Sequence, residues 1–226
     1  MQELFDLPDQ YDEMLKQGIG VTGNDKYFFI KGRLDLLVKR LPVDFKPNRI
    51  LDFGCGTGST STEFLKLFPN ASVVGSDISQ ASIDYASAKY LSENLSFISF
   101  DQLKKEEPFD IIYINCVLHH IVPNERRTCL ELIFNLGHKD TLYWIFENNP
   151  ANPGTQFAMF TNPFDKGVVK LWPIQLQKMM KYVGFQVVDT NYIFYFPQWL
   201  SIFRPLEKFL LKLPLGGQYG ILGKKA

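Results

Sequence analysis

Apolar residues recur along this chain in two rhythms. Between residues 26 and 41, Tyr27, Ile30, Leu34, Leu37, Val38 and Leu41 follow helical spacing, and Pro42 and Pro47 close the run. Short apolar runs at 49–53, 72–76, 95–100, 109–115 and 141–146 have strand length. The segments between them predict helices at 60–68, 79–91 and 123–136. Strands that alternate with helices predict a parallel sheet covered on both faces. Right-handed crossovers then make a doubly wound sheet the expected topology.

The pattern changes beyond residue 147. Residues 147–172 hold Pro150, Pro153 and Pro163, with Pro173 just beyond, and read as a long loop, a feature that in a compact domain usually serves function. A helix is predicted over 173–183, with Pro173 at its start and Gly184 at its end. Strands follow at 185–189, resuming at 192–196, and at 218–223. Residues 198–213 read as helical with a break at Pro205. There Leu206, Phe209, Leu210 and Leu213 fall on one face, with Arg204, Lys208 and Lys212 on another. The stripe predicts an amphipathic helix packed on its own domain, with peripheral membrane contact as the alternative. Residues 1–25 read as an irregular lead-in, and no internal repeat is present. The expectation is one domain over 1–226, with a core at 26–147 and pocket-forming elements at 148–217.

The chemistry concentrates where the first strand ends, at Leu51-Asp52-Phe53-Gly54-Cys55-Gly56-Thr57-Gly58. Glycines let a backbone turn tightly and approach a ligand without Cβ clashes. Ligands bind at the carboxyl ends of such strands. Asp77 ends the second strand, where a carboxylate can accept both ribose hydroxyls of a nucleotide. Asp101 is read as closing the third strand, within reach of an adenine amino group. A dinucleotide site would use GxGxxG and seat pyrophosphate on a helix N-terminus. Here the spacing is GxGxG, and Asp52 would repel pyrophosphate. The arrangement favours a cofactor bearing an ammonium and a sulfonium. Asp52 has a plainer reading as well, as a cap for the following helix.

These residues resemble the class I S-adenosylmethionine-dependent methyltransferases. The stretch from Asp52 to Gly58 matches that family's first motif, and Asp77 and Asp101 match its ribose-side and adenine-side acids. Residues 109–120, ending Val117-Leu118-His119-His120, match its fourth motif. The resemblance implies a three-layer α/β Rossmann-like sandwich whose seven-stranded, mostly parallel sheet has an antiparallel last strand. It implies S-adenosyl-L-methionine as cofactor and S-adenosyl-L-homocysteine as product. The expected cofactor contacts are Asp52, Phe53, Gly54, Cys55, Gly56, Thr57, Gly58, Asp77, Ile78, Asp101, Asn115 and Val117. The stretches at 146–153, 162–165, 196–200 and 204–207 resemble a bacterial subgroup near polysaccharide and natural-product biosynthesis. That subgroup often carries His where this chain has Asn148.

His119, His120 and Glu147 are the candidate catalytic residues. A histidine at the pocket mouth can take a proton from a substrate hydroxyl. Either could instead cap the next helix or pack beneath the cofactor. Glu147 could orient the acceptor, assist deprotonation, or pair with a surface lysine. No metal site is expected. Cys55, Cys116 and Cys129 form no CxxC pair and read as reduced thiols, which with no apparent signal peptide points to the cytoplasm.

Composition narrows the partner. Lys plus Arg is 24 and Asp plus Glu is 24, without the basic surplus of most nucleic-acid-binding proteins. No run approaches the roughly 20 apolar residues of a membrane span. The acceptor is expected to be a small molecule, and the subgroup resemblance implies a glycan or natural product. A nucleic-acid substrate such as tRNA, or cofactor binding without catalysis, are the alternatives.

Overall fold

The computed structural model describes residues 18–225, so the lead-in expected over 1–25 lies largely outside it. Helix α1 (Lys26–Val38) precedes strand β1 (Arg49–Phe53), and α2 (Ser59–Leu67) leads to β2 (Ser72–Asp77). Then come α3 (Gln80–Lys89), β3 (Leu95–Ser99), the single turn α4 (Phe100–Leu103) and β4 (Phe109–Asn115). Helix α5 (Arg126–Asn135) leads to β5 (Gly137–Asn148). The chain closes with α6 (Pro153–Thr161), α7 (Pro173–Val183), β6 (Phe185–Ile193), the turn α8 (Glu207–Leu210) and β7 (Gln218–Lys225).

The seven strands form one sheet in the order β3-β2-β1-β4-β5-β7-β6. β1 pairs in parallel with both β2 and β4, whereas β7 runs antiparallel to β5 and β6. The expected mostly parallel sheet with a reversed last strand is therefore present. Alternation along each strand divides the core into two. Ile50, Ile111, Tyr113, Trp144 and Phe146 face α1 and α2, while Leu51, Ile112, Ile114, Tyr143 and Ile145 face α5 and α7. Both faces are apolar because both are covered by helices.

Local chemistry sets the element ends. Asp25 accepts a hydrogen bond from the Phe28 amide at 2.8 Å and starts α1. Pro173 occupies the first turn of α7, and Gly184, at φ 117°, ends it.

Three sequence expectations change. The 147–172 loop contains α6, because Asn152 caps it through the Thr155 amide and Pro153 occupies its first turn. The long strand β6 replaces the two pieces expected: Thr190 and Asn191, where the break was placed, pair with Ile221 and Gly220, and the register shifts earlier, between Val187 and Asp189. Residues 198–206 form a 3₁₀ segment rather than an amphipathic α-helix, with Pro205 inside it. None of its side chains is buried, and Trp199, Ile202, Phe203, Leu206 and Phe209 are all exposed. Of the apolar stripe, Leu206, Phe209 and Leu213 are exposed and Leu210 is half-buried. Among the described residues no helix is long and apolar enough to cross a membrane.

Phe64 carries much of the α2–sheet contact. It is fully buried, with its ring edge-on to Tyr113 at 5.2 Å between centroids. Phe64→Ala is expected to cost about 3–5 kcal/mol in urea unfolding with the m-value unchanged. A loss under about 1 kcal/mol would show that α2 is not seated as described.

Candidate active site

A cavity of about 1410 Å³ opens at the carboxyl ends of β1, β2 and β4, and Asn148 of β5 and Gln218 of β7 also line it. The bend after β1 forms its floor. The Gly54 and Cys55 amides both donate to the Ser76 carbonyl, at 2.7 and 3.0 Å, which ties the bend to the tip of β2. Gly54 has φ 74°, and a Cβ there would lie 2.3 Å from Val117 Cγ2. Gly58 has φ 78°, and its Cβ would meet the Phe97 ring at 2.7 Å. Both positions need glycine for conformation and for space. On the other side Cys116 takes φ 56°, a conformation costly for a side-chain-bearing residue, and so turns Val117 onto the bend.

Two carboxylates flank this floor. Asp77 accepts from the Gly56 amide at 2.8 Å and from the Ser79 amide at 3.0 Å. Asp52 is buried and accepts from Ser61 Oγ at 2.6 Å. Burial raises its pKa to about 7; the Asp77 charge adds to the rise, while Ser61 and Arg33 oppose it. Asp52 thus bonds both the side chain and the backbone of Ser61 in the first turn of α2, which agrees with the helix-cap reading. Two further atoms lie close by: Ser76 Oγ and Asn115 Oδ1 are buried without a hydrogen-bond partner among the described residues, and both residues line the cavity. A buried polar atom left unpaired is costly, so a bound ligand with hydrogen-bonding groups would relieve it.

Of the other expected contacts, Phe53, Cys55, Thr57, Ile78 and Val117 line the cavity, with Ile78 exposed at 67%. Asp101 is a correction. β3 ends at Ser99, which begins α4 through a reciprocal bond with Gln102, so Asp101 lies on the helix and not on the strand. Its carboxylate is 93% exposed and pairs with Lys104 at 3.6 Å. Phe100 and Lys104 line the cavity on that side.

The candidate catalytic residues form a connected group. Glu147, buried to 1% exposure, accepts from the Leu118 amide at 2.8 Å and meets His119 Nδ1 at 2.5 Å. His119 Nε2 lies 3.1 Å from Asp165 Oδ1, and His120 Nε2 lies 3.8 Å from the same oxygen. Burial opposes a charge on His119, but the two carboxylates more than compensate and raise its pKa to about 9. The two carboxylates thus favour positive charge at His119. Burial and the adjacent His119 charge push His120 down, so its imidazole is neutral and faces the cavity. Glu147 pairs with His119 and not with a surface lysine. Arg126 supports the group by donating to the carbonyls of Ile121, His119 and Val169.

Sequence reasoning missed Asp165 as a site residue, because nothing in its spacing links it to His119, 46 positions earlier. The signals were the length of the segment that carries it and the resemblance of 162–165 to the bacterial subgroup. Arg33 was also missed. It is buried on α1, donates to Tyr113 Oη at 2.8 Å and to Gln218 Oε1 at 3.0 Å, and lines the cavity.

Residues 51–140 match the family model of a methyltransferase domain. The chain is 32% identical over 126 residues to malonyl-(acyl-carrier protein) O-methyltransferase of Halalkalibacterium halodurans, an alignment covering 49% of this chain and 46% of that protein. It is 35% identical over 78 residues to trans-aconitate 2-methyltransferase of Deinococcus radiodurans, covering 34% and 30%. The chain thus spans less than half the length of these curated relatives. Among solved structures, magnesium protoporphyrin IX methyltransferase from Synechocystis PCC 6803 with bound SAH superposes with a TM-score of 0.66. That match covers 96% of this chain and 94% of the other at 15% identity, and it establishes likeness of fold.

Gly54→Ala is expected to destabilise the protein by at least about 1–2 kcal/mol from its left-handed backbone alone, with the Val117 clash added. Because the two residues share one contact, Val117→Ala combined with Gly54→Ala should cost less than the two single changes summed. Additive urea-unfolding energies would show that the bend and Val117 do not meet.

Proposed function

We propose that the chain is an S-adenosylmethionine-dependent methyltransferase acting on an oxygen of a small organic acceptor. One observation carries this reading: a glycine-rich bend lies between two carboxylates on adjacent strands at the floor of the cavity, and Ser76 and Asn115, which also line it, each keep a buried side-chain oxygen without a hydrogen-bond partner among the described residues. The match of residues 51–140 to a methyltransferase domain supports it.

When bound, S-adenosylmethionine supplies an electrophilic methyl on a cationic sulfur, and S-adenosylhomocysteine is the leaving group. The chain's residues do the rest. Asp77 holds its carboxylate beside the bend, bonded to the Gly56 and Ser79 amides, where it would meet a ribose. Asp52 offers negative charge to an ammonium, and Asn115 Oδ1 offers it an acceptor. Ile78 gives an apolar shelf at the mouth. Catalysis is then chiefly alignment and exclusion of water. The cavity, at about 1410 Å³, exceeds the usual volume of a site for one drug-sized ligand, roughly 300–1,000 Å³, and so has room for an acceptor. Two relatives are named for acceptors that are carboxylic acids, malonyl-(acyl-carrier protein) and trans-aconitate, which supports a small oxygen-bearing acceptor here. The absence of a basic surplus argues against a nucleic-acid acceptor.

The reading is tested by calorimetry with S-adenosylhomocysteine, followed by mass spectrometry of small acids and phenols incubated with labelled cofactor. Asp77→Ala should weaken binding by about 10–100-fold, the value of charge-assisted hydrogen bonds of about 1.5–3 kcal/mol. The affinity should also depend on pH through Asp52. Its raised pKa, about 7, means that the carboxyl must ionise to meet a cationic ligand. Affinity is therefore full above pH 7 and falls as pH drops through it, by at most about tenfold per unit. Asp52→Asn should flatten that profile. No binding of S-adenosylhomocysteine by the unaltered protein would end the proposal.

A further inference from the structure

We propose that His119, His120 and Asp165 form a divalent transition-metal site on the wall of the cavity, with Glu147 orienting His119 from behind. The three side chains present ligand atoms that all lie within 4.8 Å of one another. They come from two separate segments, the turn after β4 and the 163–165 turn, and all three line the cavity.

The separations suit a shared ion. With bonds of about 2.1 Å, neighbouring ligand atoms lie about 3.4 Å apart around a tetrahedral ion and about 3.0 Å apart around an octahedral one. The distances from Asp165 Oδ1 are 3.1 Å to His119 Nε2 and 3.8 Å to His120 Nε2. Small movements of a pocket-facing His120 would bring all three into one shell.

The surroundings are those of a metal-binding histidine. Glu147 meets the other ring nitrogen of His119 at 2.5 Å, which fixes the ring with Nε2 toward Asp165. A carboxylate behind a histidine is the usual outer support of a metal ligand. Glu147 is held in turn by the Leu118 amide. Two buried carboxylates here demand positive charge, and a divalent ion would meet that demand more fully than one proton. Two imidazoles and one carboxylate select zinc, iron, cobalt or manganese over calcium.

Three protein ligands leave coordination positions open, and the group faces the space left for the acceptor. An acceptor oxygen bound there would lose its proton to solvent more readily. Its electron pair then forms the bond to the methyl carbon while the carbon–sulfur bond breaks with its pair going to sulfur. This step rests on the methyltransferase reading; the binding of the ion does not.

The test is isothermal titration of the chelator-treated full chain with Zn²⁺, and visible absorption with Co²⁺. The expected result is one ion per chain and a Co²⁺ spectrum of nitrogen and oxygen ligation. His120→Ala and Asp165→Asn should abolish both, and Glu147→Gln should weaken Zn²⁺ binding about 10–100-fold. Circular dichroism and S-adenosylhomocysteine affinity, measured on each variant, separate ion loss from misfolding. His120→Ala, at a partly exposed position, is the variant that should keep its fold. No stoichiometric Zn²⁺, or Zn²⁺ binding unchanged in folded His120→Ala, would overturn the site. Either result with S-adenosylhomocysteine still bound leaves the proposed function standing, whereas loss of S-adenosylhomocysteine binding by the unaltered chain strikes that reading alone.

Discussion

A carboxylate buried at the end of β5 has to be satisfied by its neighbours, and the way Glu147 is satisfied organises this protein's working face. Leaving such a group unpaired would cost several kcal/mol, so its partners are held firmly. One partner is the Leu118 amide, which fixes the course of the chain after β4. The other is His119, which carries the constraint to Asp165 in the segment that covers the cavity. A single buried acid thus connects the sheet, the loop beside the bend and the covering segment. The backbone of Cys116, at φ 56°, is the accompanying strain, tolerated because the packing around it allows no alternative.

The floor of the cavity obeys a second electrostatic rule. Asp52 and Asp77 sit on adjacent parallel strands, and each raises the cost of ionising the other. Burial would favour neutrality for Asp52, and Ser61 with Arg33 only partly restores its charge. A site built in this way is poised for a cation, since a positive ligand removes both penalties at once. The same carboxylates would disfavour a pyrophosphate, and this reasoning distinguishes the cofactor better than a count of glycines does.

Much of the architecture was legible in the sequence because it depends on local pattern. β1 and β4 are short and mainly apolar, with Ile50-Leu51 and Ile111 to Ile114 as their apolar runs, and both are buried in the sheet. The Gly54–Gly58 bend was readable because Gly54 and Gly58 stand where a side chain does not fit, and Asp77 because it ends a short apolar strand. Asp101 misled because the apolar run continued through Phe100, whereas Ser99 and Gln102 start a helix one residue earlier. α6 was hidden by its prolines, which read as breakers although Pro153 sits where a helix tolerates it. The role of Asp165 was not readable at all. Long-range pairing between a histidine and an acid in a distant turn leaves no periodic trace.

The covering segment bears on specificity as well. One end is pinned by Asn149, whose amide donates to the Gly216 carbonyl at 2.7 Å, and by Thr155, whose hydroxyl donates to Gly217 at 2.7 Å. The other end is pinned by Arg126 on the Val169 carbonyl and by Tyr219 on the Leu171 carbonyl. A segment bonded at both ends to β7, its preceding turn and α5 is part of the scaffold rather than a free loop. The space beside His120 is therefore largely preformed, and a preformed wall selects its ligand by shape and by the few polar atoms it presents. In this chain the His119–His120–Asp165 group is among the polar side chains that such a wall presents.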